Sequence, residues 1–360
     1  MRVVLAGGGT TGHISPMLAT AEALRSLDPS IEITCVGTPI GLETDLVPSA
    51  GFELALVDPV PLPRNVSPEL ATLPVRIVKS VHQARAILRG ADAAVGFGGY
   101  ASLPVYVGAH RMRVPVVVHE ANAVPGLANR IAARFAAYVC VTFANTGLPR
   151  QIVTGMPVRA RVANLDRTAE QVRAREVFGL DPEAKVLLVS GGSQGAKSLN
   201  EATVAALPAF EEAGISVLHV TGKKNFDQDR PAHAYPGYVR VAYVEQMDQA
   251  YAAADLMAAR SGAGTVTETA LAGLPVIFVP LPHGNGEQAK NAAGVVAAGG
   301  GILIADADLT GGRLAREAVG ILCDESRLAA MSEAAVHVMP RDGAQAVARY
   351  ALDAAEERRR

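Results

Sequence analysis

Paired cysteines, an excess of charge and long apolar runs are all missing from this chain. Cysteine occurs three times. Cys35, Cys140 and Cys323 stand alone, so no disulfide or metal-binding spacing is present. They are expected as buried thiols in a reducing compartment. The formal net charge is −2, which argues against a nucleic-acid partner. No window approaches the ~18 uninterrupted apolar residues of a membrane span. Met1–Ala6 runs straight into glycines, without the pattern of a signal peptide. Hydrophobic residues make up 49% and charged residues 19%. That composition excludes global disorder and supplies a large core. A length of 360 residues suits two domains.

Glycine is abundant, and it recurs where strands end. Arg2–Ala6 reads as a strand, followed by Gly7-Gly8-Gly9-Thr10-Thr11-Gly12-His13 and an amphipathic helix to Leu27. Gly7, Gly9 and Gly12 fit the dinucleotide-binding spacing G-x-G-x-x-G. That reading requires an acid at the end of the second strand. The second strand, Ile31–Val36, ends instead in Gly37-Thr38-Pro39, which argues against a dinucleotide. His13 stands where the turn enters the helix. It can cap or pack, or it can act as a base on a hydroxyl, since imidazole titrates near neutral pH. Ala93–Phe97 is a strand ending in a second glycine turn, Gly98–Ser102. Val114–His119 is a strand ending in His119-Glu120-Ala121-Asn122, and Pro125–Phe135 reads as a helix. A buried His119–Glu120 pair holding a loop is the simplest reading there.

Strand Lys185–Ser190 followed by Gly191-Gly192-Ser193-Gln194-Gly195 repeats the opening pattern. Two halves built alike suggest two Rossmann-like domains facing a cleft. The stretch Arg260–Ala292 then carries the most chemistry. Ser261–Gly264 reads as a small-residue turn feeding a helix from Thr265 to Ala272. Amides at such a start, with the helix dipole, suit a phosphate. Glu268, one turn in, can accept hydrogen bonds from the two hydroxyls of a ribose. Strand Pro275–Val279 opens into a loop carrying Gln288, a place for a sugar. Two D-x-D pairs, Asp227-Gln228-Asp229 and Asp306-Ala307-Asp308, are rejected as metal sites. The first reads as solvated and the second as the approach to a helix start.

Between Pro59 and Pro74 lies a loop with five prolines, and Val75–Arg89 has helical spacing. Arg64–Arg89 holds Arg64, Arg76, Lys79, Arg85 and Arg89 against Glu69, a net of +4. Periodicity alone favours a helix with its apolar face in the core. A basic, apolar surface docking on anionic lipid is the alternative.

Gly7–Pro16, Gly96–Ser102, His119–Arg130, Gly155–Arg159, Gly191–Asn200, Arg260–Glu268 and His283–Ala292 together, in this order, resemble the bacterial MurG family of N-acetylglucosaminyltransferases. The resemblance spans nearly the whole chain. It implies an α/β GT-B fold: a Rossmann-like acceptor and membrane-association domain at 1–160 and a UDP-GlcNAc-binding domain at 161–342. A C-terminal helix at 343–360 would pack back on the first. It also implies inverting transfer of GlcNAc from UDP-GlcNAc to the C4 hydroxyl of the muramoyl sugar of lipid I, giving lipid II, without metal or cofactor. The place would be the cytoplasmic face of the cell membrane, peripherally, with cell-wall synthesis proteins as possible partners. Thr10, Thr11 and Gly12 would line the donor and acceptor cleft. Asn122, Arg159, Ser193, Val244, Ala263, Gly264, Thr265, Val266, Thr267, Glu268 and Gln288 would bind the donor. His13 is the first candidate for the base, with Glu120 as the alternative. Two residues depart from the family pattern: Thr11 stands where glycine is usual, and Glu287 where a first glutamine is usual. A carboxylate can only accept, so one sugar contact changes. A UDP-GlcNAc 2-epimerase shares this fold class and would need no acceptor. Transfer to another hydrophobic acceptor, or sugar-nucleotide binding without catalysis, also fits the residues.

Overall fold

The structure, a computed structural model, describes residues 1–60, 69–226, 233–283 and 285–359. It divides into two compact units, Met1–Arg159 with Asp342–Arg360, and Ala160–Arg341. Each is built on one parallel sheet.

In the first unit the strands are β1 (Arg2–Ala6), β2 (Glu32–Gly37), β3 (Glu53–Leu56), β4 (Ala93–Gly96), β5 (Val116–Glu120), β6 (Tyr138–Val141) and β7 (Gln151–Val153). Their order across the sheet is β3-β2-β1-β4-β5-β6-β7. Val3 lies opposite Ile33 on one side and Ala93 on the other. The central strands are continuous apolar runs because both faces are covered, as parallel sheets require. Alternation divides β1 between two cores: Val3 and Leu5 join one cluster, Val4 and Ala6 the other. Helix Thr11–Leu27 and the C-terminal helix Gly343–Arg359 cover the first face. Ala344, Val347, Ala348, Ala351, Ala354 and Ala355 of the latter are buried in that core. These positions recur at three and four residues, the period of a single helix face. Alanine there lets the helix lie close to its neighbours.

The second unit contains β8 (Lys185–Ser190), β9 (Ile215–Val220), β10 (Tyr238–Val241), β11 (Leu256–Ala259), β12 (Val276–Phe278) and β13 (Gly301–Leu303). The order is β10-β9-β8-β11-β12-β13, the same winding as the first sheet without its last strand. Helices Lys197–Glu212 and Gly311–Leu322 close the core on one face, through Leu199, Leu207, Phe210, Leu314 and Ile321.

Several local expectations change. Cys35 and Cys140 are buried, but Cys323 is exposed, because it ends helix Gly311–Leu322 at the surface. The proline-rich stretch is not loop up to Pro74: helix Glu69–Ile87 already includes that proline. Arg64 and Asp227–Asp229 lie outside the described residues.

Candidate active site

In an open parallel sheet, loops leaving the carboxyl ends diverge where strand order reverses, and ligands bind there. In the first unit the reversal falls between β1 and β4; in the second, between β8 and β11. The candidate residues follow this geometry. Thr10–His13 leave β1, Gly98 and Gly99 leave β4, Glu120 and Asn122 end or follow β5, and Arg159 follows β7. Ser193 leaves β8, Val244 follows β10, Ala263–Glu268 follow β11, and Gln288 follows β12.

The β1 turn is packed against the β4 turn. Gly99 has φ +80°, and a Cβ there would stand 2.4 Å from the Gly8 carbonyl oxygen. Only glycine permits that approach. Gly98 lies beside the His13 ring: a Cβ on it would meet Nε2 at 3.3 Å. The other ring nitrogen, Nδ1, is 3.3 Å from Thr10 Oγ1. Thr10 and Gly12 are exposed, while Thr11 and His13 are half-buried. Burial lowers the His13 pKa, partly offset by the Gly8 backbone and the charge of Glu43. Neutral imidazole, the form able to take a proton, is therefore favoured at pH 7.

The sequence reading missed Glu43. No acid ends β2, yet Glu43 at the start of helix Glu43–Ser49 reaches back to the same place. Its carboxylate accepts from Gly9 N at 3.1 Å, Thr38 N at 2.7 Å and Thr38 Oγ1 at 2.8 Å. Burial would raise its pKa; these bonds outweigh that and hold it below the usual carboxylate value. The available signal was an acid following a glycine-bounded loop after a strand.

At the end of β5, His119 and Glu120 are both buried, each with its own partners. His119 Nε2 is 3.1 Å from the Gly155 carbonyl oxygen. A carbonyl can only accept, so Nε2 donates, and burial pushes the ring's pKa down to about 4. Glu120 accepts from Asn122 N at 2.9 Å, Gly126 N at 3.0 Å and Asn129 Nδ2 at 2.9 Å. Tyr106 donates to Asn129 Oδ1 at 2.7 Å. Burial raises the Glu120 pKa against the pull of its donors. Both oxygens are occupied in closing the 121–126 loop, which makes Glu120 a loop anchor. Asn122, half-buried, sits on that loop, and Arg159 is exposed.

In the second unit the expected helix begins two residues early, at Ala263, with Gly262 as its cap. Ala263, Gly264 and Thr265 thus form its first turn, where amides lack helical acceptors. Ser261 just before it is buried, and its Oγ has no hydrogen-bond partner. Val266 and Thr267 are buried; Glu268 is half-buried and accepts from Tyr251 Oη at 2.7 Å. Tyr251 was not singled out from sequence, because a helix-borne tyrosine carries no motif. Ser193 is exposed in the glycine turn, whereas the Val244 side chain is buried, leaving its backbone for a ligand.

Gln288 does not lie in a loop. Helix Glu287–Ala298 starts one residue before it, and Gln288 Oε1 accepts from Leu281 N at 2.9 Å. Glu287 Oε2 accepts from Asn285 N at 2.9 Å, so the unusual carboxylate fastens its own loop. Asp306, half-buried, pairs with the buried Arg260 guanidinium at 2.5 Å and accepts from Ser198 Oγ at 2.7 Å. Asp308 leads to Thr310, which caps helix Gly311–Leu322 through Arg313 N, as its approach role requires. Among the described residues no three His, Cys, Asp or Glu side chains gather as a metal site.

Comparison with known proteins settles the class. The glycosyltransferase family 28 N-terminal domain matches residues 3–141. The family 28 C-terminal domain matches residues 186–347. The chain belongs to glycosyltransferase family 28. A relative from a Nocardioides species is 50% identical over 357 residues, 98% of each chain. One from Mycobacterium avium is 52% identical over 366 residues, 99% of this chain and 90% of the relative. Both are named UDP-N-acetylglucosamine–N-acetylmuramyl-(pentapeptide) pyrophosphoryl-undecaprenol N-acetylglucosamine transferase. The crystal structure of MurG from Acinetobacter baumannii matches with a TM-score of 0.77 at 28% identity, over 98% of this chain and 99% of that one.

For a family 28 glycosyltransferase the two sheets constitute the GT-B fold. Within it, the first unit offers an imidazole whose neutral form burial favours, on a turn packed against the β4 turn. The second offers a helix start at Ala263 and, beyond it, a carboxylate braced by a phenol.

Proposed function

We propose that this chain transfers N-acetylglucosamine from UDP-GlcNAc to the lipid-linked N-acetylmuramyl-pentapeptide, lipid I, producing lipid II. The observation that carries this is identity of one residue in two along 98% of both chains with a transferase of that name. In this reading the second unit binds the donor. The uracil meets the backbone of Val244, the ribose hydroxyls meet Glu268, and the diphosphate meets Ser193 and the amides of Ala263–Thr265. Gln288 faces the sugar. Thr10, Thr11, Gly12, Asn122 and Arg159 complete the site.

The reaction is a direct displacement. The C4 hydroxyl of the muramoyl sugar attacks the anomeric carbon, and its proton passes to the imidazole of His13. The bond from that carbon to the UDP oxygen breaks, and the configuration inverts. Amides at the start of helix Ala263–Leu271 stabilise the departing diphosphate through the positive end of the helix dipole. Glu120, whose oxygens accept from its own loop, is the anchor in this reading and His13 the base.

Membrane docking is part of this proposal, because the acceptor is lipid-linked. No described helix is long and apolar enough to cross a membrane. On helix Glu69–Ile87, Val81 and Ala84 are buried, yet Val75 is 73% and Val78 65% exposed. Lys79, His82 and Arg85 are exposed on the same helix, with Arg89 just beyond it. Exposed valines between cations suit the boundary of an anionic bilayer. Lys79 also pairs with Asp58 at 2.6 Å, which reduces its share of the attraction.

The decisive experiment supplies UDP-GlcNAc with and without lipid I. The proposal expects UDP release and a disaccharide-lipid product only with the acceptor. Formation of the manno isomer from donor alone would establish an epimerase instead.

A further inference from the structure

Glu43 is a buried carboxylate that the reaction above does not use, and the chain has built a compartment for it. Cβ atoms placed on Gly8, Gly37 and Gly41 would lie 2.5, 2.4 and 1.9 Å from its side chain. Three different glycines therefore leave the room that this one side chain fills. Any larger residue at those positions would expel it. One carboxylate oxygen takes both donors of Thr38, at 2.7 and 2.8 Å. The other takes the Gly9 amide at 3.1 Å. Gly9 has φ +91°, so the turn bends at the residue that the carboxylate grips.

The consequence lies four residues on. His13 N donates to the Thr10 carbonyl at 3.1 Å, and its ring stands against Gly98 and Thr10. The turn that Glu43 holds thus determines where the imidazole is presented. A hydrogen bond between a carboxylate and a backbone amide is strong and directional. Anchored at Thr38 on β2's end, it ties the β1 turn to the adjacent strand's exit.

We propose that Glu43 is a positioning residue for the transfer reaction: through the Gly9 amide it fixes the β1 turn that carries His13. This rests on His13 being the base. Glutamine in place of Glu43 offers a single oxygen, which cannot serve Thr38 and Gly9 together, and its NH₂ faces other donors. The turn then relaxes, and a displacement of about 1 Å at a reacting group can cost on the order of a hundredfold in rate.

The test is a double-mutant cycle on turnover with saturating UDP-GlcNAc and lipid I, using E43Q, H13A and the pair. Thermal melts and circular dichroism on the same samples establish that the first unit, which carries both positions, is folded. E43Q is expected to lower kcat about ten- to a hundredfold, with a smaller change in donor KM, because Ser193, Val244, Ala263–Glu268 and Gln288, most of the assigned donor contacts, lie on the other unit. In the H13A background the same substitution should change kcat less than about twofold, since the group being positioned is gone. A purely structural role would lower kcat equally in both backgrounds, and that result overturns the proposal. Normal turnover of E43Q beside an impaired H13A also overturns it, while leaving His13 as base. Normal turnover of H13A would instead remove the reading on which it rests. If E43Q fails to fold, T38V removes one of the carboxylate's donors and keeps its charge. It should show a smaller kcat loss, again confined to the His13 background; equal loss in both refutes the proposal.

Discussion

Glu268→Ala tests the proposed donor site most directly, because the carboxylate that holds Tyr251 is also the one proposed to meet the ribose. Tyr251 is 2% exposed, and its hydroxyl donates to Glu268 Oε2 at 2.7 Å. Removing the carboxylate leaves that phenol without its charged acceptor. The cost of an orphaned buried donor is about 1–3 kcal/mol. For a unit of this size that is roughly 2–4 °C of melting temperature per kcal/mol. In the complex the ribose diol also loses its acceptor. Hydrogen bonds to a charged group contribute about 1.5–3 kcal/mol, so the UDP dissociation constant should rise about 10- to 150-fold. Tyr251→Phe separates the two effects. It removes the brace and keeps the carboxylate, so stability should fall while UDP affinity stays within a few-fold. Calorimetric titration with UDP and thermal melts on both variants provide the readings. Unchanged UDP affinity in folded Glu268→Ala would refute the ribose assignment. Equal affinity losses in both variants would show that Glu268 acts only through Tyr251.

His13→Ala should lose turnover about 10²–10⁴-fold with UDP affinity unchanged; near-normal kcat would remove the base role. Since burial lowers the His13 pKa below its ordinary value, the acid limb of kcat should lie below pH ~6.5. Activity should fall only as pH drops through that lowered value, and a limb above neutrality would contradict it. Val75→Ser with Val78→Ser should weaken binding to anionic vesicles in a flotation assay, and added salt should weaken it further; equal binding to neutral vesicles would return this face to an ordinary surface. His119 titrates near 4 in the folded chain and near 6.5 unfolded. Its neutral form therefore contributes stability that is complete above pH ~6.5 and is lost as pH falls from there toward 4. His119→Asn should flatten part of that slope in denaturant melts, and an unchanged slope would argue against the burial effect.

The strands that were legible are short apolar runs, several of them ended by glycine, whereas β6 and β7 were not read from the sequence. β1 and β8 lie where the sequence pattern put them, residue for residue. The glycine turns were equally legible, since few residues tolerate a strand feeding straight into a helix start. Boundaries shifted where capping outweighed composition. The helix after β11 starts at Ala263 because Gly262 caps it, and Gln288 became helical because the left-handed Gly286 opens the helix before Glu287. The exposed face of helix Glu69–Ile87 was not legible. Valine spacing is the same whether a face meets core or solvent, and only the packing distinguishes Val75 and Val78 from Val81 and Ala84.

The two-sheet plan, the order of glycine turns and the family to which they belong could be read from residue order alone. Those features depend on local patterns: apolar runs, glycine spacing, and acids or amides at fixed offsets. The tertiary structure decided which polar groups meet. Glu43 reaches Gly9 across 34 positions, Tyr251 braces Glu268 across 17, and Asp306 meets Arg260 across 46. The Glu43 and Asp306 pairings form because parallel strands deliver their carboxyl ends to one edge, while Tyr251 reaches Glu268 from one helix to another; at each, a charge withdrawn from water is tolerated only beside a donor. An acid after a glycine-bounded loop marks Glu43 as a candidate, but only the fold shows that its carboxylate meets the Gly9 amide.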